Sequence, residues 1–419
     1  MVEDKEKSRK SLSKKKKLSI VAICLACVVA VGLGLGLGLT FGLPYGNYNG
    51  FEYSANSDGV CTITDYTGND TELVIPEHIR GRKVTSIGDE AFCNRNNLTS
   101  IEIPESVTSI GSSAFLDCYN ITTATIPTWA ISVIPQSNLK TVVINGGESI
   151  ENEAFVHCSS LTSVTIGNSV TSIGSLAFGE CISLTSMTIP DSVTTIGSNA
   201  FHSCASLTSI TIGSGVTSIE ENAFAYCDSL TSVYYTGTVA DWCGIDFERA
   251  LSNPLFYARN LYIDNTLVTE LVIPDTVTEI KACAFYYCYS LTSVTIGNGV
   301  TSIGEAAFAL CKNLTNIVLS NSIKVIDNGA FYYCSSLTSI IIPDSITSIG
   351  VGAFDECNRL KRVYYKGTRD SWNEINIESF NGALNETEYV YYYSKIKPTR
   401  YGNYWHYNTD GITPIIWRY

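Results

Sequence analysis

The sequence predicts a β-rich α/β solenoid, built by stacking one repeated unit instead of from separate globular domains. Three observations predict it. The pair Ala-Phe recurs, with phenylalanines at Phe92, Phe115, Phe155, Phe178, Phe201, Phe224, Phe285, Phe308, Phe331 and Phe354, in all but the first as Ala-Phe-x-x-Cys, and seven of the nine intervals are 23 residues. A fixed period of that length marks units that each contact only their neighbours. Between copies, apolar residues alternate with Thr and Ser at the two-residue period of a half-exposed strand. Turn pairs then punctuate each unit, as in Gly167-Asn168, Pro190-Asp191 and Pro343-Asp344.

Residues 161–183 illustrate one unit. Leu161, Val164 and Ile166 form the inward side of a first strand, and Thr162, Ser163 and Thr165 face solvent. Val170 and Ile173 point inward from a second short strand, which Gly174 ends. Ser175 to Cys181 is expected to form two turns of helix, with Ala177, Phe178 and Cys181 on one face. Stacking then places Phe178, Cys181, Phe201, Cys204, Phe224, Cys227, Phe308, Cys311, Phe331 and Cys334 in buried columns. First strands starting at Asp70, Leu98, Ile121, Leu139, Leu161, Leu184, Leu207, Leu230, Val268, Leu291, Leu314, Leu337 and Leu360 give about thirteen rungs. At ~4.8 Å between neighbouring strands the stack is roughly 60 Å long.

Two intervals depart from 23. The 40-residue interval contains a short rung, 121–138, without Ala-Phe-x-x-Cys. The 61-residue interval contains an insertion whose YYTGTVADWCGIDF resembles YYKGTRDSWNEINI at 364–377, with Trp242 matching Trp372 and Ile245 matching Ile375. This module reads as a cap that lays Trp and Ile over a rung end. The expected order is a linker and N-terminal cap at 44–69, a repeat block at 70–233, the cap-like insertion at 234–267, a second block at 268–365, and a cap with an aromatic tail at 366–419.

The unit L-x-x-[IV]-x-[IP]-x-x-V-T-x-I-G-x-x-A-F-x-x-C resembles the BspA-like leucine-rich repeats over roughly 70–365. That resemblance implies a right-handed leucine-rich-repeat solenoid. It also implies a surface protein of the kind implicated in adhesion to host matrix proteins and in mucosal contact. The family has no catalytic residues to carry over. The tail VYYKGT…YYYSKIKP…GNYWHY is similar to the end of such bacterial proteins. An LPxTG-type sorting signal is lacking before Tyr419, so anchorage is expected from the N-terminus.

There, residues 1–17 form a basic cytoplasmic tail with eight Lys or Arg against three acids, while the whole chain carries −13. The uncharged run Leu18–Leu39 that follows is long enough to span a bilayer, so 18–43 is expected to hold a transmembrane helix acting as a signal-anchor. The predicted location is the cell membrane, single-pass, with an extracellular C-terminal ectodomain. The competing readings are secretion after signal-peptide cleavage following Ala30, and lipidation at Cys27. An acidic body argues against nucleic acid, which needs a basic surface.

Nine of the fifteen cysteines fall three residues after a repeat phenylalanine, and a stack gives them parallel Cβ vectors, the wrong aim for disulfides. Packed thiols are therefore expected, with no metal and no cofactor. Cys61, Cys93, Cys243 and Cys283 fall off this column, and a Cys61–Cys93 pair is conceivable. The histidines His78, His157, His202 and His406 are scattered, and no nucleophile elbow, zinc helix or phosphate loop is present, so no enzyme is predicted. Sequons at Asn69, Asn97, Asn120, Asn313 and Asn385 matter only in a eukaryotic source.

Two function classes remain. One is an adhesin or receptor-like binder of extracellular protein or glycan partners, including host matrix or mucosal components. Its candidate surface is the outer side of the first strands: Thr162, Ser163, Thr165, Thr185, Ser186, Thr188, Thr208, Ser209, Thr211, Thr292, Ser293 and Thr295. The plainer reading is that short β-branched polar residues favour exposed strands. The other class is a structural or carbohydrate-binding envelope component acting through the tail aromatics, Tyr389, Tyr391, Tyr392, Tyr393, Tyr401, Tyr404, Trp405, Tyr407, Trp417 and Tyr419. Those rings could equally be buried in a terminal cap.

Overall fold

The computed structural model describes residues 45–385 and 390–418. The expected transmembrane helix at 18–43 lies outside the described residues. Among those described, no helix is long and apolar enough to cross a membrane. The coil opens with an antiparallel meander, Tyr45–Tyr48, Phe51–Ala55 and Val60–Tyr66, whose last strand pairs in parallel with Arg82–Ile87 of the first rung. Strands then follow at each of the thirteen expected starts, from Glu72–Val74 to Arg362–Tyr365. Neighbours pair in parallel with equivalent residues opposite, as in Ser209↔Ser232 and Ile210↔Val233. A second ladder of two-residue strands runs beside it, for example Ser172–Ile173, Thr195–Ile196 and Ser218–Ile219.

The solenoid has about fourteen turns, because the insertion supplies one. Asp246–Phe247 joins the second ladder beside Ser218–Ile219, and Leu261–Ile263 joins the first beside Ser232–Tyr235. A short helix, Val239–Cys243, is capped by Thr238, whose hydroxyl accepts from the Asp241 amide. Trp242 is fully buried, and its indole N–H donates to the Ala284 carbonyl of the next rung at 2.8 Å. The module therefore carries the coil onward with repeats on both sides, where a cap over a terminated block was expected. The matching helix Arg369–Asn373 and strand Asn376–Ile377 do the same at the end, and Val390–Tyr393, Tyr404–Tyr407 and Pro414–Ile416 extend the first sheet further.

The expected helix in each repeat is absent, and each Ala-Phe-x-x-Cys segment is a run of turns. Leu176 and Glu180 sit at φ 55° and 58°, in the left-handed region, which no continuous α-helix allows. Alternate amides close local turns: Ala177 to the Gly174 carbonyl, Gly179 to Leu176, and Cys181 to Phe178. The intervening amides leave the turn and donate to the next rung: Leu176 to Ser198, Phe178 to Ala200, and Glu180 to His202. A helix would consume those donors within its own segment. In a stack one strand-spacing thick, handing half of them to the next rung satisfies the buried backbone on both sides. The sequence reading still found the buried side chains, because Ala177, Phe178 and Cys181 are all fully buried.

One core runs from Phe51 to Tyr392. The repeat phenylalanines stack face to face, with 5.3 Å between the rings of Phe178 and Phe201 and again between Phe201 and Phe224. At the N-terminal end Phe51 and Tyr66 cover Phe92, at 6.4 and 5.6 Å. The thiols form a donor ladder: Cys181 to the Phe155 carbonyl at 3.2 Å, Cys204 to Phe178 at 3.1 Å, and Cys227 to Phe201 at 3.2 Å. All thirteen described cysteines are free thiols, Cys61 and Cys93 included. Glycine ends the second strand because a Cβ on Gly197 would stand 2.7 Å from the Ser175 amide nitrogen of the rung before.

Where the turn ladder is interrupted, a side-chain amide replaces the missing backbone. In the short rung a 3-10 helix, Thr128–Val133, stands where the turn segment would be. No phenylalanine amide is there to donate to Ala154. Gln136 Nε2 donates to the Ala154 carbonyl instead, at 2.8 Å, and its Oε1 accepts from the Cys158 thiol at 3.4 Å. In the insertion Asn253 Nδ2 reaches the Cys283 and Ala284 carbonyls at 2.8 and 3.1 Å. In the tail Asn381 Oδ1 accepts from the Phe354 amide at 3.0 Å, the role an alanine carbonyl plays elsewhere. Gln136→Ala is therefore expected to cost about 2 kcal/mol, read as a fall in the urea midpoint, because it leaves a carbonyl and a thiol without partners. An unchanged midpoint would show that this amide does not replace the missing turn.

Candidate binding surface

The candidate threonine and serine columns lie where the sequence placed them, on the outer side of the first-strand sheet. Thr162, Ser163, Thr165, Thr185, Ser186, Thr188, Thr208, Thr292 and Thr295 are exposed, and Ser209, Thr211 and Ser293 are half-buried. Register lines them up, Ser186 beside Ser209 and Thr188 beside Thr211. Many of the donors are already used within the fold. The hydroxyls of Thr162, Thr208 and Thr292 donate to the carbonyls of Lys140, Thr185 and Thr269 on the preceding rung, at 2.9–3.0 Å. These hydroxyls reinforce the ladder and retain only acceptor capacity for a ligand.

A different surface gathers side chains that can hold a ligand. It lies on the turn side of the coil, at the variable positions around the repeat phenylalanines. His202 meets Tyr226 edge to face at 5.1 Å, and the Tyr226 amide donates to the Tyr257 hydroxyl at 2.8 Å. Phe256 contacts Tyr257, Tyr286 and Tyr287 at ring separations of 4.9, 6.1 and 5.4 Å. Tyr287 stacks on Tyr289 at 5.2 Å. Arg259 and Lys312 both lie 5.2 Å from the centre of the Tyr289 ring, and Lys312 is also 5.3 Å from Tyr333. Arg259 is held in place as the left-handed residue ending the short helix Leu255–Ala258, with its carbonyl accepting from the Tyr289 amide. Among the described residues neither cation takes part in an ion pair. Burial raises the pKa of Tyr286 and Tyr287, so both remain neutral hydroxyls at physiological pH.

The repeat geometry matches a known family. The model described as "BspA type Leucine rich repeat region" matches in six copies over residues 65–142, 135–249 and 259–386. The chain belongs to the BspA-type leucine-rich-repeat family. It is similar to a solved leucine-rich cell surface protein of Faecalibacterium prausnitzii, with 30% identity over 81% of this chain and 99% of that one, at a TM-score of 0.32. It is also similar to a leucine-rich repeat protein of Bacteroides ovatus, with 22% identity over 80% and 99% of the two chains, at 0.33. Pneumococcal vaccine antigen PcpA matches at 18% identity over 83% and 93%, at 0.34. No curated protein matches this sequence. The assignment rests on the repeat model and the 30% identity, because superposition scores this low carry no weight.

In this BspA-type chain two of the described tail aromatics are buried in the coil. Trp405 is fully buried and donates its indole N–H to the Tyr365 carbonyl at 2.8 Å, and Tyr392 is also buried. Trp372 and Ile375 lie at only 7% and 8% exposure. Tyr391, Tyr393, Tyr404, Tyr407 and Trp417 are half-buried, and Tyr401 is exposed, at 91%. Tyr389 and Tyr419 lie outside the described residues. His157 and His202 sit on the turn side, the former 3.0 Å from the Glu180 carboxylate. Sequence reasoning missed the tyrosine–cation surface, although its signal was legible in the runs Tyr286-Tyr287-Cys288-Tyr289 and Tyr332-Tyr333.

Proposed function

We propose that this chain is a non-enzymatic binding protein, displayed at the cell surface, that holds extracellular protein or glycan partners along its turn-side tyrosines. One observation carries the reading: rings from several successive turns line one side of an otherwise acidic coil, with Arg259 and Lys312 set among them. Aromatic rings supply large contact areas at low entropic cost, and Tyr287, Tyr289 and Tyr333 here are only half-buried. Family membership and a cell-surface relative support the setting. The basic head and the apolar run Leu18–Leu39 support a single-pass anchor with the coil outside.

The test is display on intact cells. External protease should remove the coil and spare an N-terminal tag. The displayed chain should capture matrix proteins or mucosal glycans, and Tyr287→Ala with Tyr333→Ala should reduce capture at least fivefold at equal display. A coil protected from protease, or capture unaffected by both substitutions, would overturn the reading.

A further inference from the structure

We infer that the tyrosine–cation surface is a subsite for a linear, carboxylate-bearing glycan; this rests on the surface-binding reading above and names its ligand class. Arg259 from the turn before and Lys312 from the turn after each lie 5.2 Å from the centre of the Tyr289 ring, so two cations follow one another along the coil axis with that ring between them. Guanidinium and ammonium groups without carboxylate partners are suited to receive anionic groups through charge-assisted hydrogen bonds. Around them Phe256, Tyr287, Tyr332 and Tyr333 present ring faces and edges from three turns of the coil. Ring faces stack against the C–H faces of pyranoses, and tyrosine hydroxyls satisfy their ring hydroxyls. Rings recur along the coil axis at Phe256, at Tyr287 and, two rungs beyond it, at Tyr333, which favours an elongated chain over a single compact ligand.

Charge density decides the class. A nucleic acid carries a phosphate at every residue and needs a broad basic footprint, whereas this surface has two cations on a chain of net charge −13. A glycan with occasional carboxylates matches two cations. An acidic peptide gains most from a free strand edge or a deep apolar pocket. The turn amides here donate instead to neighbouring rungs, as Tyr287 does to Ala309 and Leu310 to Tyr332.

The experiment uses the full-length chain, immobilised through its N-terminus. Its probes are oligosaccharides of hyaluronan and unsulfated chondroitin, which carry a carboxylate on every second residue, a neutral cello-oligosaccharide, an oligoglutamate peptide and a single-stranded oligonucleotide. At least one carboxylated glycan should bind at least tenfold tighter than the neutral one, and binding should weaken as salt rises. Arg259→Gln with Lys312→Gln should lower that affinity about tenfold at an unchanged thermal midpoint. Lys312→Arg, which keeps the charge, should retain it. Equal binding of the neutral chain, or of the peptide or oligonucleotide, lost in the same variants, overturns the ligand class while leaving the surface as a binding site. No binding of any carboxylated glycan overturns the inference even if the displayed chain captures protein partners.

Discussion

Raising the pH from 9 to 11 is expected to lower the stability of the coil steeply, and the thiol ladder is the reason. Burial raises the thiol pKa to about 11 at Cys158 and Cys288 and to about 12 at Cys227 and Cys357, and pushes those of Cys204, Cys311 and Cys334 well above the ordinary value. Below about pH 8 both folded and unfolded chains hold these protons, so the ladder contributes no pH dependence. Above it the unfolded chain ionises while the folded chain stays neutral, so the unfolded state gains. Each thiol that titrates only on unfolding removes about 1.4 kcal/mol per pH unit. Several such thiols acting together would exhaust a net stability of roughly 5–15 kcal/mol within one or two pH units. Denaturant midpoints measured between pH 7 and 11 check this. They should hold to about pH 8.5 and then fall, and Cys204→Ala should make the fall shallower by close to one proton. A flat profile, or an unchanged slope in that variant, would mean that the thiols are not the titrating groups.

Phe201→Ala should be among the most damaging core substitutions in the first block, costing about 3–5 kcal/mol. Phe201 is fully buried and stacks on both neighbours, so truncation removes two ring contacts and opens a cavity between rungs. The surrounding backbone cannot collapse into that space, because the Phe201 amide is tied to the Ala223 carbonyl and the Phe178 amide to Ala200. Urea unfolding of the full chain measures the loss, and a cost below about 1.5 kcal/mol would contradict the stacked-ring account. Cys204→Ala should cost less, since it deletes one sulfur and its bond to the Phe178 carbonyl. Cys204→Ser keeps a donor for that carbonyl, which narrows its difference from the alanine variant.

Which residues are inside was legible because the period of 23 makes each position a vote counted several times over. Leu161, Val164, Ile166, Ala177, Phe178 and Cys181 are buried in the unit as read, and Thr162 and Thr165 are exposed. The turn backbone was not legible. Ala, Phe and Cys at those spacings bury the same side chains on a helix or on a turn ladder, and only the neighbouring rung, which accepts the Phe178 amide, separates the two. The candidate surface divides in the same way. Exposure of the threonine columns followed from strand alternation, but the donation of the Thr208 hydroxyl to Thr185 depends on a carbonyl 23 residues away.

The sequence by itself determined the repeat, the coil, the buried columns, the family and the pairing of the two tryptophan modules. The period and the alternation of side chains are local properties, and stacking identical units has one compact outcome. Only the tertiary structure decided that the insertion continues the coil, that Gln136, Asn253 and Asn381 replace missing backbone, and that Arg259 and Lys312 meet at Tyr289. Each of these depends on which group the next turn leaves unpaired or brings alongside, and that is a relation between rungs that no single repeat contains.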